Sequence, residues 1–245
     1  MTKVAVLGAK GRMGSTAVGA VTAADGLEVS AEVDVDDPID AVSGADVALD
    51  FTQPEVALDH VRWCVENGVH VVVGTSGFDD AKLAEVRELL GESPSVGVLV
   101  VPNFSIGAVL MMKFAAQAAP FFESVEVVEM HHPDKVDAPS GTATRTAEMI
   151  AASREAAGSA VLPDATTQDP DGARGATVAG IPVHALRARG YVASQEVVLG
   201  GVGETFVIRH DSHDRESFMP GVVAALRAVV TRPGLTVGLE DVLGL

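Results

Sequence analysis

Cysteine and aromatic residues are scarce in this chain. Its 245 residues include one cysteine, and phenylalanine, tryptophan and tyrosine together make up 4%. A single cysteine cannot form an internal disulfide, and it excludes a zinc site built from several cysteines. That residue, Cys64, is in helical phase with Ala57, Val61 and Val65. We therefore expect it to lie in a core.

Basic residues are also few. Seventeen lysines and arginines face 34 aspartates and glutamates, which gives a net charge of −17 at pH 7. Nucleic acids need a basic face on their partner, so the charge balance argues against that class of ligand. An anionic ligand would need local positive charge. The candidates for that charge are Lys10, Arg12, His131, His132 and Lys135.

No uninterrupted apolar run is long enough to cross a bilayer, and no secretory signal precedes the first apolar run. We therefore expect no membrane partner and a cytoplasmic location. Apolar residues make up 47% of the chain, which is typical of a globular protein. The length suits one large or two small domains.

Apolar runs alternate with helical patterns over the first hundred residues. We predict strands at 2–7, 27–33, 45–51, 69–73 and 95–101, and helices at 15–21, 52–68 and 79–91. This alternation indicates an α/β, Rossmann-type doubly wound parallel sheet. Gly8, Asp34, Thr52, Gly74 and Asn103 each follow directly after a predicted strand. Open sheets of this class bind ligands at that edge.

The first strand leads into a glycine loop with the spacing G-x-x-G-x-x-G. Gly8 allows a tight turn, Gly11 lets the backbone approach a pyrophosphate, and Gly14 lets helix and strand pack closely. Asp34 ends the second strand and is placed to accept hydrogen bonds from an adenosine ribose. The loop therefore predicts a dinucleotide site.

The pattern changes after Asn103. We predict helices at 106–119 and 142–157, a long loop at 158–175, and a helix that begins at 211–214 and runs to about 230. Strand-like runs cover 125–130, 183–187, 193–199 and 204–210. These elements indicate a second, α+β domain with a mixed or antiparallel sheet.

A dense polar run, residues 131–142, lies between the strand 125–130 and the helix that follows. Two histidines there can exchange protons near neutral pH, and Lys135 supplies a positive charge or an acid. Ser140 is a good helix N-cap, and Gly141 and Thr142 follow it at a helix start that favours an anion. The run predicts an anion site with proton donors beside it.

The remaining histidines have simpler interpretations. His210 and His213 suit a strand end and a helix cap, and we expect no metal site. His60, His70 and His184 are isolated in the sequence and need no special role.

Five motifs follow one another along the chain: residues 8–14, Asp-Phe-Thr at 50–52, Gly-Thr-Ser-Gly at 74–77, Pro-Asn-Phe-Ser at 102–105, and the run 131–142. Together they resemble the dihydrodipicolinate reductase family of the bacterial diaminopimelate–lysine pathway, over nearly the whole chain. Two departures are visible. Ser76 replaces a frequent second threonine but keeps a hydroxyl. Pro133 and Asp134 stand where basic residues are common, which makes the local field less positive.

The resemblance implies an NAD(P)H-dependent oxidoreductase that reduces 4-hydroxy-tetrahydrodipicolinate, a dicarboxylate, to tetrahydrodipicolinate. His131 would be the proton donor and acceptor and Lys135 a proton donor, while His132, Ser140, Gly141 and Thr142 would bind substrate. The implied contacts to NADH or NADPH are Gly8, Ala9, Lys10, Gly11, Arg12, Met13, Asp34, Gly74, Thr75, Ser76, Val101, Pro102, Asn103 and Phe104. The resemblance also implies a homotetramer, a dinucleotide-binding domain of residues 1–104 plus 214–245, and a substrate-binding and oligomerisation domain of residues 105–213.

Alternatives remain open at this level. One is another dinucleotide-dependent dehydrogenase that acts on an amino- or keto-dicarboxylate. Another is a protein that senses NAD(H) without turnover. The presence of both His131 and Lys135 argues against that alternative. No amino-acid side chain can supply a hydride, so a reduction needs a cofactor. The glycine loop would bind that cofactor and the polar run 131–142 would donate protons, as two halves of one reaction. The sequence does not separate the roles of His131 and His132.

Overall fold

The computed structural model describes all residues from 1 to 245, and the chain divides into two compact units. The first comprises Met1–Ile106 with Arg215–Leu245, and the second comprises Gly107–Asp214. The strands are β1 (Thr2–Leu7), β2 (Leu27–Val33), β3 (Val47–Asp50), β4 (His70–Val73), β5 (Gly97–Val100), β6 (Ser124–His131), β7 (Ala176–Val178), β8 (Ile181–Arg187), β9 (Ala193–Gly201), β10 (Glu204–Ser212) and β11 (Gly234–Val237). The helices are α1 (Arg12–Ala23), α2 (Ala57–Glu66), α3 (Asp80–Leu90), α4 (Ile106–Ala118), α5 (Gly141–Ala156), α6 (Met219–Val229) and α7 (Glu240–Leu243).

The first unit is built on a parallel sheet of six strands. Their order is β11-β5-β4-β3-β1-β2, and every pair is parallel. The predicted doubly wound α/β fold is confirmed. The chain leaves β1 for β2 on one side and returns to β3 on the other, so the strand order reverses between β1 and β3. Open α/β sheets bind their ligands outside the carboxyl ends of the strands at such a reversal.

Burial on both faces explains the composition of this sheet. All four residues of β3 and all four of β5 are buried. Parallel strands covered by helices on both sides need continuous apolar runs, which the valine-rich sequence supplies. One face packs against α2 and α3, where Cys64 is fully buried beside Val61 and Val86. The expected core position of Cys64 is confirmed.

The second unit holds a mixed sheet of five strands in the order β10-β9-β6-β8-β7. β6 and β8 are parallel, and the other neighbours are antiparallel. One face of β6 packs on α5, and Val125 and Val127 from the strand meet Ala147 and Ile150 from the helix in one core. The predicted α+β architecture is thus confirmed.

Several element bounds differ from the predictions. Helix α2 begins at Ala57, after a turn at residues 54–56 in which the N–H of Val56 binds the carbonyl oxygen of Gln53. Strand β10 runs to Ser212, since Asp211 and Ser212 still pair with β9, so no helix begins at 211. The short strands β7 and β11 were missed. No helix is both long and apolar enough to cross a membrane.

Gly14 provides a direct test of the packing between α1 and the loop before it. A Cβ added at Gly14 would lie 2.0 Å from the backbone oxygen of Gly8, which cannot move aside as a side chain would. We expect Gly14→Ala to lower the free energy of unfolding by roughly 1–3 kcal/mol, as overpacking does. Urea-induced unfolding followed by circular dichroism measures this loss.

Gly19 on the same helix is the matched control. It is exposed, and a Cβ there would meet nothing within 4 Å. Alanine favours helix over glycine by roughly 0.5–1 kcal/mol, so Gly19→Ala should be neutral or stabilising. Equal stability of the two variants would contradict the close approach at Gly14.

Candidate active site

The glycine loop joins β1 to α1 and approaches two neighbouring segments closely. Gly8 has a φ of +78°, and a Cβ on it would lie 2.5 Å from the carbonyl oxygen of Phe51 after β3. Gly11 is the N-cap of α1 and has no side chain to cap the helix. The first N–H groups of α1 are therefore open to an anionic ligand.

A cleft of about 630 Å³ opens beside this loop at the reversal point of the sheet. Its lining includes Gly8, Gly11, Asp34 and Thr52. The carboxylate of Asp34 accepts the backbone N–H groups of Lys10 (2.8 Å) and Val35 (2.9 Å). The hydrogen bond from Val35, and then that from Lys10, lowers the pKa of Asp34. Asp34 therefore anchors the loop and presents an ionised carboxylate to the cleft.

These features fit a dinucleotide. The cleft volume lies in the range of small-ligand sites, the glycines leave room that a Cβ would fill, and a carboxylate ends the second strand. Lys10 and Arg12 are exposed on the loop, Ala9 is buried and Met13 is half-buried.

The two other predicted cofactor segments follow β4 and β5. A Cβ on Gly74 would lie 2.1 Å from the ring of Phe51 and 2.7 Å from the ring of Phe104. Those two rings pack edge to face with centroids 5.4 Å apart. Glycine is thus required at position 74 by aromatic packing. Thr75 is buried and Ser76 is exposed, while Val101 is buried, Pro102 exposed and Asn103 half-buried.

A buried carboxylate organises the edge of the sheet near this cleft. Asp50 is 0% exposed and accepts hydrogen bonds from the hydroxyls of Thr52 (2.7 Å) and Thr75 (2.5 Å). The Nδ1 atom of His60 lies 2.7 Å from its other oxygen. Burial alone would raise the pKa of Asp50, but the hydrogen bonds from His60, Thr75 and Thr52 outweigh it and lower the pKa.

The interpretation of His60 as an isolated residue was wrong. Its ring binds Asp50 and lines the cleft. Ten residues separate the two side chains, so no local spacing indicated the contact. His70 and His184 are not isolated either. Nδ1 of His70 accepts the N–H of Gly97 at 2.8 Å, and Nε2 of His184 lies 2.6 Å from Glu126.

In the second unit, the polar run leaves the end of β6 and enters α5. His131 is the last residue of β6, and its Nδ1 lies 2.6 Å from the carboxylate of Glu129. Burial lowers the pKa of His131 and outweighs the opposite influence of Glu129. Nζ of Lys135 donates to Asp137 at 2.7 Å, and both His132 and Lys135 are half-buried.

Glu129 is the residue of this candidate site that the sequence reasoning missed. It is 0% exposed and accepts two hydrogen bonds of 2.8 Å from the guanidinium of Arg187 on β8. It also accepts the backbone N–H of Ser140 at 3.1 Å. A signal was available, because Glu129 alternates in phase with the apolar residues Val125 and Val127. A carboxylate on the buried face of a strand needs partners.

The start of α5 holds the three residues that were predicted to bind the substrate carboxylate. Ser140 is buried, its N–H binds Glu129, and its hydroxyl caps the helix by accepting the N–H of Ala143 at 3.2 Å. Both groups of Ser140 thus contribute to the fold, and the hydroxyl keeps its own hydrogen to donate to a ligand. Gly141 is exposed, and a Cβ there would meet nothing within 4 Å. Thr142 follows it as a half-buried residue of the first turn.

Comparison with known proteins gives a consistent result. The family described as "Dihydrodipicolinate reductase, N-terminus" matches residues 2–104, and "Dihydrodipicolinate reductase, C-terminus" matches residues 107–243. Proteins named 4-hydroxy-tetrahydrodipicolinate reductase are similar throughout. That of Thermobifida fusca is 60% identical over 246 residues, covering 100% of both chains, and that of Streptomyces griseus is 58% identical, covering 99% of this chain and 98% of its own.

Solved structures agree. A dipicolinate-bound dihydrodipicolinate reductase from Paenisporosarcina sp. TG-14 matches with a TM-score of 0.86 and 38% identity, covering 98% of this chain and 99% of that one. A myo-inositol 2-dehydrogenase from Lactobacillus plantarum shares the fold alone, with a TM-score of 0.62 and 10% identity.

The doubly wound sheet with a glycine loop at its reversal point, together with these relatives, places the chain in the class of oxidoreductases dependent on a nicotinamide dinucleotide. Within that class, the chain belongs to the dihydrodipicolinate reductase family.

The hydrogen bond from Thr75 to Asp50 can be tested through stability. Thr75→Val removes one donor from a buried, ionised carboxylate, and we expect a loss of roughly 1.5–3 kcal/mol in the free energy of unfolding at neutral pH. Urea unfolding measures it. Thr22→Val on the exposed face of α1 is the control, because that hydroxyl binds only its own helix. Its effect should stay within about 0.5 kcal/mol.

The same comparison has a pH dependence of known sign. The pKa of Asp50 is lowered from its ordinary value of 3.8, so its stabilisation is complete above that value and is lost as pH falls through the lower native pKa. The gap between wild type and Thr75→Val should therefore narrow in acid. A gap that widened in acid would contradict an ionised Asp50.

Proposed function

We propose that this chain catalyses the NAD(P)H-dependent reduction of 4-hydroxy-tetrahydrodipicolinate to tetrahydrodipicolinate in diaminopimelate and lysine biosynthesis. The substrate loses water, and its ring gains a hydride at C4 and a proton at C3. The observation that carries the proposal is His131, held by a buried carboxylate next to Lys135 and the start of α5, in a chain of this family.

The cofactor supplies the hydride when bound, and the residues at the carboxyl edge of the first sheet orient it. The pyrophosphate would lie on the glycine loop and the N–H groups of α1, and Asp34 would accept the ribose hydroxyls. Residues 74–76 and 101–104 would hold the nicotinamide end. Both NADH and NADPH would serve, since Lys10 and Arg12 can offset the repulsion between Asp34 and a 2′-phosphate.

The second unit would bind the dicarboxylate and move protons. Gly141 and Thr142 present the start of a 16-residue helix to one carboxylate, and the open space at Gly141 lets the ligand approach the backbone. His132 would bind the substrate, His131 would exchange the proton, and Lys135 would donate one. Ser140 would cap the helix through its hydroxyl oxygen and donate its hydroxyl hydrogen to the substrate carboxylate.

Absorbance at the NADH band tests the reaction directly. Mixing the protein with the product of dihydrodipicolinate synthase should consume NADH. A flat trace with folded protein would overturn the proposed function. The same trace with an amino- or keto-dicarboxylate in place of that product tests for a different dehydrogenase.

We also propose a homotetramer and a cytoplasmic location. An apolar groove in the second unit supports assembly there, because Phe114 and Phe206 line it and each remains nearly half exposed. Light scattering coupled to gel filtration gives the mass of the assembly, and a monomer would refute the tetramer. Cell fractionation tests the location.

Asp34 should set the cofactor preference. Wild type should favour NADH, and Asp34→Ala should shift the ratio of dissociation constants toward NADPH by about tenfold or more, since a lost charge-assisted hydrogen bond costs roughly 1.5–3 kcal/mol. Calorimetric titration with each cofactor measures the ratio. The ratio is measured because Asp34→Ala also removes the hydrogen bond from the N–H of Lys10 to Asp34. Loss of that bond would weaken the binding of both cofactors alike.

Asp36→Ala is the control for charge alone. Asp36 is exposed on the same turn and is not part of the cleft lining. Its removal should leave the ratio unchanged. If Asp34→Ala also left the ratio unchanged, Asp34 would not contact the ribose.

Lys135 has two possible roles that a pair of variants separates. If it donates a proton, Lys135→Ala and Lys135→Arg should both lose turnover by about 10²–10⁴-fold, because arginine keeps the charge but does not release its proton. Steady-state kinetics gives kcat and KM, and calorimetry should show unchanged NADH affinity.

If Lys135 only neutralises a carboxylate, Lys135→Arg should keep kcat, and Lys135→Ala should mainly raise KM. That result would refute its role as an acid. Near wild-type kinetics in both variants would remove Lys135 from the site.

A further inference from the structure

The carboxylate of Glu129 joins several segments of the second unit. One oxygen accepts from Nη2 of Arg187 (2.8 Å) and from the backbone of Ser140 (3.1 Å). The other accepts from Nη1 of Arg187 (2.8 Å) and lies 2.6 Å from Nδ1 of His131. Arg187 also donates to the carbonyl oxygen of Asp137 at 2.8 Å. This arrangement ties the end of β6 to the polar loop, to α5 and to β8.

These contacts determine which nitrogen of His131 carries the proton. Burial would raise the pKa of Glu129, but the hydrogen bonds from Arg187 and His131 lower it, so the carboxylate is ionised. An ionised carboxylate only accepts hydrogen bonds, so Nδ1 of His131 must be the donor. Nε2 is then the nitrogen that gains or loses a proton, and no hydrogen bond within the chain involves it.

Arg187 changes the electrostatic consequence of that contact. A lone carboxylate beside a histidine stabilises the imidazolium and raises its pKa. Here the guanidinium grips Glu129 with two parallel hydrogen bonds, so the pair carries no net charge. The other charged groups near the ring are Lys135 and Asp137, and they pair with each other. Burial therefore prevails, and the pKa of His131 falls below its ordinary value of 6.5.

We propose that Glu129 and Arg187 are positioning residues for His131. Glu129 holds the ring in the Nδ1–H form, and Arg187 cancels the carboxylate charge, so that Nε2 of the neutral ring first takes up a proton and then returns it to the substrate. The inference rests on the proposed function, in which His131 moves that proton. It adds two residues that act through His131 and need not touch the substrate.

Nuclear magnetic resonance of the wild type tests the first half without any variant. Nitrogen shifts of histidine-labelled, cofactor-free protein report the tautomer, and a titration from about pH 5 to 9 reports the pKa. His131→Gln identifies the signals of His131. We expect the Nδ1–H form and a pKa below 6.5. An Nε2–H form in the wild type would overturn the proposal.

Three charge variants test the role of Arg187. Arg187→Gln should raise the pKa of His131 by about 1 or more, because it exposes the ring to an uncompensated carboxylate. Glu129→Gln should lower the pKa of His131, because no carboxylate then balances the positive charge of Arg187. The double variant should return near wild type. If Arg187→Gln does not fold, Glu129→Gln is compared with the double variant, and equal values would overturn charge cancellation.

Glu126→Gln is the matched control. Glu126 lies on β6 and binds Arg174 and His184 through similar contacts, so its loss tests any general effect of removing a paired glutamate from that strand. Neither the tautomer nor the pKa of His131 should change in this variant. A change as large as that in Glu129→Gln would overturn a specific role for Glu129.

Kinetics separates positioning from mere structural support. Glu129→Gln should lower kcat by up to about 10²–10⁴-fold, the contribution of an acid–base group. The double variant Glu129→Gln/His131→Gln should be no slower than His131→Gln, because Glu129 acts through that ring. Losses that multiply would overturn the proposal. A wild type that leaves NADH untouched would instead refute the proposed function, and the tautomer and pKa results would still decide the positioning.

Discussion

A carboxylate that is removed from water must be compensated by hydrogen bonds or by opposite charge, and this constraint shapes both units of the chain. Asp50 and Glu129 are both fully buried. Each lies at or near the carboxyl end of a strand, and each draws surrounding segments toward itself. The loops after β3 and β4 meet through Asp50, and the start of α5 meets β6 and β8 through Glu129.

The two carboxylates differ in how they are compensated. Asp50 has neutral hydroxyls, a backbone N–H and one histidine around it. Glu129 has a guanidinium as well as a histidine. The difference matters chemically, because a carboxylate paired with arginine orients a histidine without strongly favouring its charged form. The Asp50 network suits a fixed structural role. The Glu129 network suits a histidine ring that must gain and lose a proton.

Charge balance near the second site follows from the same pairing. The chain carries a net charge of −17, yet the proposed substrate is anionic. Lys135 pairs with Asp137, and Arg187 pairs with Glu129, so much of the local positive charge is already balanced. In the proposed site, attraction for a dicarboxylate would then depend more on the start of α5 and on His132 than on excess positive charge. Backbone N–H groups at a helix start keep that capacity whatever the net charge of the surface.

The sequence by itself determined most of the strands and helices and the class of the fold. Valine-rich runs, the glycine loop and the run 131–142 are local patterns, and local periodicity is enough to place strands, helices and the ends where ligands bind. Tertiary structure alone decided the partners of the buried charges. Arg187 lies 58 residues from Glu129, and Thr75 lies 25 residues from Asp50. Such contacts depend on which strands pair and in what register, and no local spacing encodes that choice. The interpretation of His60 changed for this reason, since the role of a residue depends on which groups its polar atoms reach after folding.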